Sequence, residues 1–456
     1  MCIMLGLAHA QRRGPPDEPP PIVGHGAPSS LIDYEGQLFF SARTAQHGVE
    51  LWKSDGTAAG TMLVADIQPG SSGSYPSNFL VANRTLFFAA NDEAHGTELW
   101  KSDGTGPGTA LLLDIRAGKE SSIPSFLTEF GGRILFTAND GQHGFELWRS
   151  DGTASGTALL KDINPGPGNA ITGAFVVCRG AVFFPANDGA HGTELWRTDG
   201  TTEGTRLVKD INPGPDNSVP AELTCSGDQL YFVATDGRTG VELWRSDGTE
   251  AGTALVADIN AGSVSSSPAH LTDMNGVLFF RADDGKIGAE LWKSDGTTRG
   301  TVLVRDINAG AASSQPNGLT NVNGTLYFAA SDGRSGIELW RSDGSAAGTR
   351  LVEDIHPGPS SATPRNFKLL GTRLFFSATD ESGAGLWSVE GGGKPRLVKR
   401  FAGPKETASP DWLTGVKGTL FFAADDGTTG IELWRSDGTP EGTKLVLDVY
   451  PGPPSR

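Results

Sequence analysis

The sequence predicts an all-β protein, a closed β-propeller of nine four-stranded blades, and three observations lead there. Nine tryptophans (Trp52, Trp100, Trp148, Trp196, Trp244, Trp292, Trp340, Trp387 and Trp434) are spaced 48 residues apart six times and then 47 apart twice, which marks a repeat array. Each interval holds four short β-rich runs divided by Asn-Gly, Asp-Gly and Ser-Asp-Gly-Thr signals that suit tight antiparallel hairpins, and none has a helical period. Runs such as Leu278-Phe279-Phe280 do not alternate with polar residues, so both faces of each sheet need cover. Blades packed radially against one another give that cover.

The sixth unit shows the elements in order. It opens at Pro268, 24 positions before its Trp, an offset shared by Pro28, Pro76, Pro124, Pro220, Pro316 and Pro410. Strand A follows with Leu271, then the turn Asn275-Gly276, strand B (Val277 to Phe280), the loop Asp284-Gly285-Lys286-Ile287-Gly288, and strand C through Glu290-Leu291-Trp292. The turn Ser294-Asp295-Gly296-Thr297 leads to strand D (Val302 to Val304) and a Gly/Ser/Pro-rich link. An antiparallel path puts the B–C loops and D–A links on one face, called here the link face, and the A–B turns and Ser-Asp-Gly-Thr turns on the opposite hairpin face. An open stack would need polar outer faces on its end units. The ninth unit instead keeps Leu420-Phe421-Phe422, Glu432-Leu433-Trp434 and Leu445-Val446, so a closed ring is expected, with a smaller ring and one displaced unit as the alternative.

Gly and Pro together make about a fifth of the chain, which disfavours long helices, and 53 acidic against 37 basic residues give a net charge of -16. That balance argues against nucleic acid or an anionic membrane surface as partner. No run approaches the ~20 apolar residues of a membrane span. The apolar head ending in Ala8-His9-Ala10 has the small-x-small shape of an export cleavage site. Residues 1–27 are therefore expected to be a partial export signal and Pro-rich spacer, and 28–456 one propeller domain, monomeric and secreted or on the cell surface. Cys178 and Cys225 fall in inner strands of adjacent blades; with stacked sheets ~10 Å apart and a disulfide needing Cα atoms within ~7 Å, two buried free thiols are expected.

Glu-Leu-Trp-x-x-Asp-Gly-Thr recurs at 50–57, 98–105, 146–153, 194–201, 242–249, 290–297 and 432–439, and with a final Ser at 338–345. In this the chain resembles the bacterial ELWxxDGT repeat family, over about residues 28 to 454. The resemblance implies a propeller-like repeat fold and an exported location. It carries no established chemistry and hence no catalytic residue.

The recurring acids have two readings. Glu50 and Asp66 fall nearly opposite each other if Ser54 pairs with Thr61, and carboxylates near a sheet end usually accept backbone N–H groups. The sharper reading is one Ca2+ per blade, held by the loop Asp, the strand Glu and the late Asp, as in Asp92, Glu98 and Asp114 or Asp140, Glu146 and Asp162. The eighth unit loses the Glu, the turn Asp, the Thr and the late Asp together, with Gly385, Glu390, Arg396 and Phe401 in their places, so these residues are expected to serve one coupled arrangement. His47, His95, His143 and His191 form a column too widely spaced to share a metal and are expected on a solvated face.

One position, just before the first apolar residue of strand A, varies freely: Ser30, Asn78, Phe126, Ala174, Glu222, His270, Gly318, Asn366 and Trp412. A position that varies among fixed neighbours is not serving the core, and the propeller path sets it near the axis on the link face. Ligand binding is therefore expected around Trp412, Phe126, His270 and Glu222. The leading functional class is a non-enzymatic exported propeller for a glycan or protein, with no cofactor unless Ca2+ is held. The alternatives are a polysaccharide-active hydrolase or lyase and a purely structural surface or adhesion component.

Overall fold

The computed structural model describes residues 25–402 and 409–451. The apolar head, Cys2 and the spacer up to residue 24 lie outside the described residues. Nine four-stranded sheets follow one another along the chain, each ordered A-B-C-D with no strand exchanged between them, and together they form a nine-bladed propeller ring. In blade 1 the strands are Ser29–Tyr34, Gln37–Thr44, Gly48–Ser54 and Met62–Ala65, all antiparallel.

Burial explains the missing alternation. Leu38 to Ala42 of strand B are all buried, because both faces of the blade are covered by neighbours. The apolar side chains gather in clusters that each span two blades: Phe39, Leu51 and Val64 of blade 1 pack with Leu86, Phe88 and Trp100 of blade 2. The repeating tryptophans fill these inter-blade layers, as their size and mid-strand place suggest. At the seam, Leu38, Phe40 and Trp52 of blade 1 meet Phe421, Leu433 and Val446 of blade 9. The Gly26 amide donates to Glu432 Oε1 at 2.7 Å, the contact that Ser74, 48 positions later, makes with Glu50 within the regular series at 2.9 Å. The stub ahead of strand A thus acts as the incoming link for blade 9.

The Ser-Asp-Gly-Thr turns are built as their composition suggests. Asp55 Oδ1 accepts the Thr57 amide at 2.8 Å and its hydroxyl at 2.7 Å, and Ser54 Oγ lies 2.7 Å from Thr61 Oγ1. Gly60 must lack a side chain, since a Cβ there would stand 2.1 Å from the Asp55 carboxylate. In several blades the basic residue after the Trp ties its blade to the next turn: Lys53, Lys101 and Lys293 donate to the carbonyls of Gly104, Gly152 and Gly344 at 2.8–2.9 Å. In the eighth blade Ser388 takes that place, and Arg373 reaches Gly438 O instead at 3.1 Å.

One expectation is overturned. Cys178 and Cys225 are joined by a disulfide, with Cα atoms 5.5 Å apart. Two features bring them together. Innermost strands converge well below the ~10 Å average of stacked sheets. The two residues are also 47 apart rather than 48, and because side chains alternate along a strand, that one-residue offset turns them toward each other. The same offset places Thr224 Oγ1 3.3 Å from Leu271 O and Thr272 Oγ1 3.4 Å from Leu319 O. Closing a loop of this length restricts the unfolded chain by about 4 kcal/mol. A Cys178→Ser/Cys225→Ser variant is therefore expected to lose stability of that order in denaturant titrations. An unchanged midpoint, together with no linked peptide by mass spectrometry, would show that the bond does not form.

Candidate ligand-binding site

The site begins with a bulge. In blade 1, strand A pairs Ser29 with Ser41 and then Ile32 with Phe39, so one extra residue is left out of the ladder. The same slip occurs in every blade except the fourth, where strand A is only Val176–Cys178. The residue in the slip is the variable column. Ser30, Asn78, Phe126, Glu222, His270, Gly318, Asn366 and Trp412 all have φ between 54° and 66°. For a non-glycine residue this conformation costs on the order of 1–2 kcal/mol, which the rigid blades sustain seven times over. The column varies because its side chains leave the ladder.

Six of them, Ser30, Asn78, His270, Gly318, Asn366 and Trp412, line one cavity of about 1280 Å³. Its walls come from blades 6 to 9, 1 and 2, which are consecutive around the ring. The residues just before Pro76, Pro316 and Pro364, namely Tyr75, Gln315 and Thr363, join them, with Arg281, Asn317, Arg365 and Asp411. Trp412 and Tyr75 remain 40 % and 48 % exposed. Glu222 and Phe126 are not on the wall. Glu222 Oε2 accepts the His270 amide at 2.9 Å, and Phe126 rests against Phe175 with ring centroids 6.1 Å apart. Burial, and then the Arg281 charge, push the His270 pKa down while Glu222 opposes them.

Arg281 was not singled out by the sequence reading, although a signal was there. Its column in strand B otherwise holds Ser41, Ala89, Thr137, Pro185, Val233, Ala329, Ser377 and Ala423, so it is that column's one charge. The guanidinium donates to Gln315 Oε1 at 3.1 Å, and among the described residues it forms no ion pair.

The acids of the proposed cation sites are engaged elsewhere. Glu98 is fully buried and accepts the amides of Ile115 and Ser122 at 2.9 and 2.8 Å and the Ser122 hydroxyl at 2.6 Å. Glu146 accepts the Ile163 amide at 2.7 Å. Asp92 and Asp140 cap their own loops and bind the Nδ1 atoms of His95 and His143 at 2.8 and 2.7 Å. Asp114 Oδ2 accepts the Gly118 amide at 3.1 Å, while Oδ1 of Asp114 and of Asp162 is buried without a partner. Among the described residues no three such side chains gather as a metal ion would need. The histidine column is thus a set of His–Asp pairs, including His47 with Asp66 at 2.9 Å, and the Asp hydrogen bond raises the pKa of His95, His143 and His191. In the eighth blade the register overturns one expectation: Leu386 pairs with Lys399 as Leu51 pairs with Ala65, so Arg400 rather than Phe401 stands at the late-Asp position. Arg400 donates to Asp380 at 2.7 Å, and Phe401, in the place of Ile67, meets Phe422 and Trp434 edge-on with centroids 5.7 and 5.2 Å away.

No protein-family model matches the chain, and none of the curated proteins does. Among solved structures it is similar to a prolyl endopeptidase (TM-score 0.45, 15 % identity, 71 % of this chain and 49 % of that one). It is also similar to a GH74 enzyme of Niastella koreensis (0.38, 11 %, 92 % and 66 %). A third similarity is to the β-propeller domain of the Trilobed protease from Pyrococcus furiosus (0.37, 12 %, 72 % and 99 %). The chain spans about half the length of the first of these, and none of the three likenesses assigns it an activity.

Proposed function

We propose that this chain is an exported, non-enzymatic propeller that binds a glycan or protein ligand in the axial cavity on its link face. The observation that supports this most is the gathering of the irregular strand-A column into one cavity, while the hairpin face repeats Ser-Asp-Gly-Thr almost unchanged. Specific recognition needs residues that break the ninefold symmetry, and these are such residues. The disulfide suits an oxidising compartment, in keeping with the export motif and the family resemblance. The competing hydrolase reading needs two carboxyl groups across a glycosidic bond; Asp411 lines the cavity, whereas Glu222 is held by the His270 amide.

Trp412→Ala is the direct test, with a glycan array and a panel of polysaccharide-degradation assays run side by side. Affinity for the ligand the array identifies is expected to weaken by ~1–3 kcal/mol, the pattern of an exposed aromatic anchor, with the melting temperature nearly unchanged. Lost stability with affinity retained would place Trp412 in the scaffold. Turnover of any polysaccharide would favour the hydrolase.

A further inference from the structure

The charges of the cavity run against those of the chain. A protein of net charge -16 places Arg281 and Arg365 on the wall of its axial cavity, with Asp411 as the acid beside them. Asp411 Oδ1 already accepts the Trp412 amide at 2.7 Å. Arg281 is half-buried; its hydrogen bond goes to the neutral Gln315, and Glu222 acts on it electrostatically without forming an ion pair, although a buried cation normally finds an anionic partner in contact. Arg365 is exposed toward the same space, and neither arginine forms an ion pair among the described residues. Burial disfavours the Arg281 charge and Glu222 offsets only part of that, so an incoming carboxylate would relieve the remaining cost. The planar guanidinium suits a carboxylate in two-point contact.

The remaining wall indicates what carries that carboxylate. Trp412 and Tyr75 offer exposed aromatic faces, on which the C–H faces of sugar rings stack. Asn78 and Asn366 donate their side-chain amides to Pro124 O and Pro410 O, both at 3.0 Å, which leaves their Oδ1 atoms as acceptors for hydroxyl donors. Gln315 gives its oxygen to Arg281 and keeps its NH2 group as a donor. Fixed acceptors, a free donor, two aromatic platforms and unpaired arginines together match a polyhydroxylated acid, and the volume exceeds the ~300–1,000 Å³ of ordinary small-molecule pockets.

We propose that the axial cavity binds acidic saccharides, with Arg281, assisted by Arg365, as the carboxylate anchor. The proposal rests on the reading of this cavity as the binding site.

The experiment measures binding of oligogalacturonate, oligoalginate and hyaluronan fragments, each beside its carboxyl-reduced counterpart, and of an acidic peptide with a free C-terminal carboxylate. At least one acidic form is expected to bind roughly tenfold or more above its reduced partner at low salt, with the preference shrinking as salt rises. Arg281→Gln should erase that preference, by weakening the acidic form far more than the reduced form, and leave the melting temperature within a few degrees. Arg365→Gln should reduce the preference partially, and it supplies a second variant if the first fails to fold. Equal binding of acidic and reduced forms, or a preference that survives both substitutions, overturns the carboxylate anchor while the glycan-binding reading stands. Binding of the peptide with none of the saccharides overturns the saccharide assignment alone. Binding of none of these probes overturns both.

Discussion

Removal of residues 402–456 is expected to make the chain aggregate. Blade 9 is covered on both sides: Leu420, Phe422 and Trp434 pack on Leu386, Val398 and Phe401 of blade 8, and Phe421, Leu433 and Val446 pack on Leu38, Phe40 and Trp52 of blade 1. Taking it out uncovers two sheet faces whose strand-B residues have no polar alternation, patches well beyond what soluble monomers tolerate. It also frees Gly26, whose amide Glu432 accepts. Size-exclusion chromatography with light scattering, followed by thermal unfolding, reads the outcome. A truncated chain that shows the same oligomeric state as the full chain and unfolds cooperatively would mean that the units form an open array needing no contact across the seam.

Much of this architecture was legible because the repeat supplies nine aligned copies of each position. The period gave blade number and strand order. Composition gave the Asx-built hairpins. The antiparallel path gave the near-opposition of Glu50 and Asp66, which the register bears out by pairing Leu51 with Ala65. The disulfide was not legible from average sheet spacing, since it depends on convergence near the axis and on a single-residue offset between Cys178 and Cys225. The axial column was visible as variability, but its cause, a bulge residue with positive φ, is a backbone property that only Gly318 hints at. Phe126 shows the limit of the column argument: it shares the bulge yet turns onto the blade 3–4 core, where the short fourth strand A leaves room. Arg281 lay outside the column altogether and came to light once the wall was assembled.

The melting temperature is expected to be highest near pH 5 and to fall by roughly 10 °C by pH 8.5. The cause is the set of buried strand-C glutamates, one in every blade except the eighth. Burial pushes the carboxyls of Glu50, Glu338 and Glu432 up to about 7 and that of Glu146 to about 8, against an ordinary 4.5. The hydrogen bonds they accept only partly offset it. Glu98, Glu194, Glu242 and Glu290 shift in the same direction for the same reason. An acid whose pKa is raised by folding holds its proton more tightly in the folded state. Its contribution is therefore complete below the unfolded value and is lost as pH rises through the folded one. His95, His143 and His191, raised by their Asp partners, act with the same sign above their ordinary 6.5. The turn aspartates Asp55, Asp103 and Asp151 are lowered, first by their Thr hydroxyl partners, so they contribute above the ordinary 3.8 and are lost only as pH falls below it. Each tenfold change in proton affinity corresponds to about 1.4 kcal/mol, so the four most displaced carboxyls together command on the order of 10 kcal/mol between pH 5 and 8. Scanning calorimetry at constant ionic strength checks the direction, and Glu146→Gln, which has no proton to release, should show a shallower decline than the parent. A melting temperature that is flat or rises from pH 5 to 8.5 would mean that the amide and hydroxyl donors around these carboxylates outweigh their burial, and that the glutamates enter the fold already ionised.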